Sequence, residues 1–309
     1  MSTRCCRGMS DSPTTFRALR NSKWISSTPG ALPPRSFPTT LATSARVMDG
    51  PSLGSPSSAS SKEGSLVGLR RSLKYSFHCP TMTSPVKELF HLKSLEVSLD
   101  MAHKIEMSTR EQSSCADWHL LRKPRVTASR FREVCHVRGH SSAESLAERI
   151  IRGTRQTAEM KRGLEMESGA ASEYCRILNV NYTPCGLIIH PDAPWLGASP
   201  DGVVFDPTEY PQFGLVEIKC PNVKNYIDCK YLYMEYGCSK LKKTHAYYWQ
   251  IQGQLLISGL HWCDFVVWAQ EDFFVERVYM DADVQRQIPE KTDLFYFYTY
   301  MTKYLSLKC

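Results

Sequence analysis

Three residues in LGASPDGVVFD and the following GLVEIKCP could do chemistry together. They are Asp201 on a turn, and Glu217 and Lys219 two apart in an apolar run. Residues two apart in a strand face the same way. Glu217 and Lys219 therefore project together, and Ile218 and Cys220 point to the other face. Val216 and Ile218 give the pair an apolar setting, at the edge of a core. Ser199-Pro200-Asp201-Gly202 reads as a sharp turn that brings Asp201 to the same end of the sheet. Two carboxylates about 4 Å apart repel by roughly 4 kcal/mol at an effective dielectric of 20. A divalent cation reverses that sign. Two acids and a main-chain carbonyl, filled out by water, suit Mg2+ or Mn2+ rather than zinc. Lys219 beside the ion could position an attacking water or help deprotonate it, as metal-assisted phosphodiester hydrolysis requires. Spacing alone leaves an equal alternative, a solvated Glu–Lys pair on an ordinary hairpin.

The elements that must hold these residues follow from periodicity and punctuation. PVKELFHL and SLDMAHKIEMSTREQ read as helices with Leu89, Leu92, Met101 and Ile105 as apolar positions. Pro124 breaks the chain, Thr127 can cap, and a helix is expected from Ser129. SSAESLAERIIRG is a helix closed by Gly153, and TAEMKRGLEMESGAASEYCRIL a longer one. After Asn179 come the β-rich runs CGLIIHP, WLGAS, GVVFD and GLVEIKCP. A polar and aromatic connection spans 222–244. HAYYWQIQGQLLISGL reads as an amphipathic helix, CDFVVWAQ and FFVERVYM as paired strands, and the C-terminal run as a helix bent or restarted at Pro289. The fold class is α/β (α+β), a central mixed sheet flanked by helices.

The chain has 309 residues and a net charge of +7, but residues 1–80 alone carry +8 and the rest −1. Bulk charge is therefore no sign that the folded part binds nucleic acid, and a basic surface there must be local. Residues 1–80 are rich in Ser, Pro, Thr and Gly without apolar periodicity, so a disordered extension is expected. Their Arg/Ser-rich, acid-poor composition also matches organelle transit peptides. A helical lead-in is expected at 81–115 and the main domain at 116–309. The 12 cysteines form no CxxC pair, which excludes an obvious zinc site and fits reduced thiols in an intracellular protein. No stretch is apolar enough to span a bilayer, so no membrane association is expected.

SPDG…EIKCP, taken with its surroundings, resembles the YqaJ-type viral recombinase family, the phage lambda-type exonucleases of the PD-(D/E)XK nuclease superfamily. Four motifs occur in family order between about Trp118 and Gln254. DWHLLRKPRVTAS is similar to the family's W…R…TAS segment, which implies that Arg122 grips a DNA 5′-phosphate with Ser129 in support. RGLEMESGAASEY is similar to the G-x-x-x-E-x-x-A helix and selects Glu167 as a metal ligand, direct or through water. Gly163, Glu167, Ala170 and Tyr174 share one helix face, and Glu165 lies elsewhere. Asp201, Glu217 and Lys219 match the catalytic core, with the Ile218 carbonyl as a further metal ligand. HAYYWQIQGQ is similar to the Y-x-x-Q-x-Q helix, which turns Tyr247 and Gln250 to the site. Alone, Arg122 would read as a surface arginine, Glu167 as an exposed helix glutamate and Gln250 as a polar position. Lys240, Lys242 and Lys243 are either phosphate contacts or a solvated loop.

The resemblance implies a restriction-endonuclease-like fold and an Mg2+- or Mn2+-dependent deoxyribonuclease. A 5′→3′ exonuclease on double-stranded DNA is the leading expectation. The rivals are a structure-specific endonuclease and a catalytically silent DNA-end-binding module of viral or transposon origin. An iron–sulfur nuclease is disfavoured, because the cysteine cluster is missing. DNA is the expected partner, a recombinase or single-strand annealing protein a natural second one, and a homotrimer the implied assembly. A nuclear location is favoured over a mitochondrial one.

Overall fold

The computed structural model describes residues 86–307. The expectations for the tail at 1–80 lie outside the described residues. All the described residues fall in one compact unit.

The strand that carries the Glu–Lys pair is β6 (Phe213–Lys219), buried without a break from Gly214 to Ile218. Its parallel neighbour β9 (Trp262–Trp268) is buried from Trp262 to Val267. Strands covered on both faces need such continuous apolar runs. β10 (Phe273–Tyr279) pairs antiparallel with β9, and β5 (Gly202–Phe205) antiparallel with β6. β2 (Asn181–Pro184) completes the order β10-β9-β6-β5-β2. This is the central mixed sheet that was expected, although NYTP gave no strand signal in the sequence.

Two of the expected β runs belong to another sheet. β3 (Ile188–His190) and β4 (Ala193–Ala198) join β1 (Val126–Thr127) in the order β1-β4-β3. The connection at 222–244 holds a hairpin, β7 (Leu232–Glu235) and β8 (Cys238–Leu241), turned by Tyr236 and Gly237 at positive φ.

Helices cover these sheets. α6 (Ala158–Leu178) starts where the Thr157 hydroxyl accepts the Met160 N–H, and it buries Ala170, Ala171 and Tyr174. The Tyr174 hydroxyl donates to Asp264 Oδ2 at 2.6 Å and ties α6 to β9. α5 (His140–Arg152) ends at Gly153 with φ 77°, as expected. The helix read from Ser129 is instead a 3-10 turn, Ala128–Arg130, followed by the short α4 (Phe131–His136). α7 (Ala246–Ser258) is not amphipathic. It packs against strands of both sheets and is buried all along Ile251–Ser258. Gln252 and Gln254 stay inside because each finds a hydrogen-bond partner.

The lead-in forms α1 (Val86–Leu95) and α2 (Leu99–Ser108), but not with the expected apolar faces. Leu89 and Met101 are exposed and Leu92 and Ile105 half-buried, whereas Glu88, His91 and Glu106 are buried. Polar bonds dock these helices: His91 Nε2 meets the Tyr296 hydroxyl at 3.0 Å, and Glu106 accepts from Arg110 and from Gly186 N–H. At the other end α8 (Ala282–Phe295) runs through Pro289 without restarting. The irregularity lies further on, in a π-helical turn at Tyr296–Tyr300 before α9 (Met301–Ser306).

Candidate active site

β6 and β5 bring the acids together by register. Gly202 of β5 lies opposite Val216 of β6, so Asp201 sits just beside Glu217 and Ile218. The turn is tight. A Cβ on Gly202 would lie 2.1 Å from the Tyr182 ring, and the Tyr182 hydroxyl donates to Asp201 O at 2.9 Å. Asp201 N–H donates to Val216 O, and Asp201 Oδ2 accepts the Ile218 N–H at 2.5 Å.

Glu217 is only 1% exposed, which excludes the solvated-pair alternative. Lys219 Nζ donates to Glu217 Oε1 and, at 3.2 Å, to the Ile218 carbonyl. Gln250 Nε2 donates to the same Oε1 at 2.6 Å and Gln254 Nε2 to Oε2 at 2.6 Å. Gln250 was expected to face the site. Gln254 was not among the expected site residues, although its place one helical turn after Gln250 signals it. Because its amide nitrogen is claimed by Glu217, its oxygen is buried with no partner among the described residues. The Tyr247 ring lies 5.1 Å from Lys219 Nζ.

The electrostatics of this cluster are unbalanced. Burial pushes the Asp201 carboxyl well above its usual range, and Glu217 adds to the shift against Lys219. Burial also raises Glu167, with Lys219 opposing and Glu217 adding. Burial alone would lower Lys219, but Glu217 and Asp201 outweigh it and hold the ammonium above its ordinary value. In this state the ammonium donates hydrogen bonds and offsets the acids beside it.

Arg122 ends α3 (Ala116–Arg122) and stacks over Trp118, one turn back, at 3.8 Å. Its Nη1 donates to Ser199 Oγ at 3.1 Å, and Trp118 Nε1 donates to the same oxygen at 3.0 Å. Burial and, less strongly, Arg130 lower Arg122 to about 10 against the opposing pull of Glu217. It is thus not a free surface arginine. Ser129 is exposed and meets the Thr127 hydroxyl at 3.3 Å, so the side chain oriented toward Arg122 is Ser199 rather than Ser129. Ser199 sits in the quoted turn, but nothing in its spacing pointed to Arg122.

Arg122, Ser129, Asp201, Glu217, Lys219 and Gln250 line one cavity of about 210 Å3. Glu167 lines an adjoining cavity of about 630 Å3, and Asp201 and Gln112 border both. Lys240 pairs with Glu235 at 2.7 Å and Lys243 with Asp281 at 2.9 Å, so the basic run before α7 is partly neutralised.

Two neighbouring carboxylates and the Ile218 carbonyl form an all-oxygen donor set, the chemistry a hard divalent cation takes. Among the described residues no group of three His, Cys, Asp or Glu is gathered for a metal, although Glu167 is near enough to raise Asp201. The residues present fit an ion held by two acids and completed by water. They do not form a dedicated all-protein cage.

Residues 117–261 match the model of the YqaJ-like viral recombinase domain. Among solved structures, the alkaline exonuclease LHK-Exo from Laribacter hongkongensis is 29% identical with a TM-score of 0.49, covering 63% of this chain and 96% of its own. The same exonuclease in complex with dAMP gives the same values. A SOX–DNA complex is 12% identical with a TM-score of 0.47, covering 68% of this chain and 73% of its own. No curated protein matches the sequence. No helix among the described residues is long and apolar enough to cross a membrane.

Proposed function

We propose, for a chain that carries a YqaJ-like viral recombinase domain over residues 117–261, that it is a metal-dependent deoxyribonuclease, a 5′→3′ exonuclease on double-stranded DNA. The observation that carries this reading is the single cavity in which Asp201, Glu217 and Lys219 face Arg122. A paired-acid site beside a buried arginine suits cleavage next to an anchored phosphate.

Asp201, Glu217 and the Ile218 carbonyl would hold Mg2+ or Mn2+, with Glu167 reaching in directly or through water. When bound, the ion supplies a Lewis acid and a water of lowered pKa. The chain's own residues do the rest. Gln250 and Gln254 fix both oxygens of Glu217, so the carboxylate needs no reorganisation. Lys219 holds a positive charge where negative charge grows on the phosphate oxygens. Tyr247 walls the site beside it. Arg122, set by Trp118 and Ser199, offers a guanidinium for a terminal 5′-phosphate, with Ser129 on the same wall. Such resection leaves a 3′ single strand, the natural substrate of a recombinase or annealing protein. The family resemblance further suggests a homotrimer.

The test is the full-length chain on linear duplex DNA bearing a labelled 5′-phosphate, with Mg2+ or with EDTA. Mononucleotides released from the 5′ end only with Mg2+ are the expected result. Internal cuts in covalently closed DNA would replace the reading with an endonuclease. DNA bound but never cut under any divalent ion would leave an end-binding module.

A further inference from the structure

The segment before the matched domain reaches the catalytic turn through one side chain. Gln112 opens a 3-10 turn, Gln112–Ser114, and its backbone is left-handed, with φ 44°. A non-glycine residue pays a steric cost for that conformation, so something must hold it there. Its Nε2 donates to Cys185 O at 2.9 Å and to Pro200 O at 3.0 Å. Both carbonyls lie beside the acid: Pro200 immediately precedes Asp201, and Cys185 N–H donates to Asp201 O. Gln112 also borders both the cavity of the acid pair and that of Glu167.

The same segment grips its neighbour at two further points. Glu106 Oε1 accepts the Gly186 N–H at 3.0 Å, and Thr109 Oγ1 accepts the Leu187 N–H at 2.8 Å. The approach is so close that a Cβ on Gly186 would lie 2.0 Å from Glu106 O. Residues 106–112 thus form a clasp over 185–187, and Gln112 is its only member that also reaches the Ser199–Gly202 turn. Glu106 and Thr109 anchor the clasp; Gln112 transmits it.

We infer that Gln112 is a positioning residue for Asp201, and that the lead-in before residue 117 is a working part of the site. This rests on the proposed nuclease reading only for its consequence in catalysis; the positioning itself is a property of the turn. Without the amide, Pro200 O and Cys185 O lose their side-chain donor, and the turn that sets the Asp201 carboxylate against Ile218 N–H is held less tightly.

The variants are Gln112→Gly, which suits the left-handed backbone but lacks the donor, and Gln112→Lys, which keeps N–H donors. They are compared with the native full chain in three readouts. In hydrogen exchange, Asp201 and Ile218 amides of Gln112→Gly should exchange at least about tenfold faster, with β9 and β10 unchanged. The thermal midpoint should hold, since relief of the backbone offsets the lost bonds. On duplex DNA, kcat should fall about tenfold or more at unchanged KM, because the DNA-gripping residues are untouched. Gln112→Lys should recover part of both effects. Unchanged exchange at Asp201 and Ile218 in Gln112→Gly overturns the inference, as does a uniform rise across all strands. If the native chain cuts no DNA yet exchange at the turn responds as stated, the nuclease reading fails and the positioning role stands.

Discussion

Two ends of the central sheet each bury several carboxylates around one long basic side chain, and they resolve the charge in opposite ways. At one end the Arg277 side chain is 3% exposed and stacks at 3.6 Å over the Trp262 ring. It bonds both oxygens of Asp264 at 2.7 and 2.8 Å, Glu209 at 2.9 Å and Asp206 at 3.0 Å. The planar fork meets three acids at once. Burial pushes Asp206 up, but the Thr208 donors and Arg277 outweigh it and bring its carboxyl below the usual range. At the other end Lys219 reaches Glu217 but not Asp201, and burial leaves Asp201 and Glu167 raised. The first cluster is complete within the protein. In the second, the chain's own cations do not offset the burial of Asp201 and Glu167. Buried acids alone do not mark a site; a cluster of them without enough protein donors, lining a cavity, marks a candidate.

The largest expected effect lies at the complete end. Arg277→Met strands three acids and should cost about 3–5 kcal/mol in denaturant unfolding. A loss below about 1 kcal/mol would break the comparison. At the incomplete end, Lys219→Ala should cut DNA cleavage by about 10²–10³-fold while circular dichroism shows the fold retained. A loss of fold instead would make Lys219 structural, like Arg277.

Asp293 tests the rule with a single acid. Burial raises it to about 7, against one donor, Trp195 Nε1 at 3.1 Å. A folded pKa above the unfolded one means stability that is full below about pH 4 and falls as pH rises through about 7. Asp293→Asn should therefore raise Tm at pH 8 by about 2–4 °C and leave it unchanged at pH 4. The reverse dependence would contradict the burial argument. The smallest effect belongs to Asp281, an exposed-edge acid satisfied by its surroundings. It caps α8, accepts from Lys243 and Tyr248, and is lowered to about 2. Its contribution is present above the unfolded value near 3.9 and lost as pH falls toward 2. Asp281→Ala should cost about 1 kcal/mol at pH 7, chiefly as a lost helix cap.

That Asp201, Glu217, Lys219 and Gln250 come together was legible in the sequence because the signals are local. Glu217 and Lys219 are two apart on one strand, and Gln250 lies on one helix face. The turn motif announces Asp201. What stayed hidden depends on pairs far apart in the chain. Gln112 bonds residues 73 and 88 positions away, and Ser199 meets Arg122 across 77. No period encodes such contacts. The lead-in faces were misread for a related reason: α1 and α2 dock through buried His91 and Glu106, whose partners Tyr296 and Gly186 lie on distant elements. α7 looked amphipathic because its glutamines are polar. Gln252 and Gln254 are inside, their amide N–H groups donating to the Tyr279 carbonyl and to Glu217. The Arg277 network has no sequence signal, since an arginine and an acid on two strands and two acids in a loop carry no spacing of their own.

The central claim, that the Asp201–Glu217 end lacks a positive charge which a divalent cation supplies, is tested most directly by thermal unfolding with and without Mg2+. For the native chain, Mg2+ at about 100 times its dissociation constant should raise Tm by roughly 5–10 °C. Asp201→Asn should melt above the native chain without Mg2+, because the repulsion is gone, and should gain nothing from the ion. A native chain indifferent to Mg2+, or an Asp201→Asn variant that melts lower without it, would contradict the account.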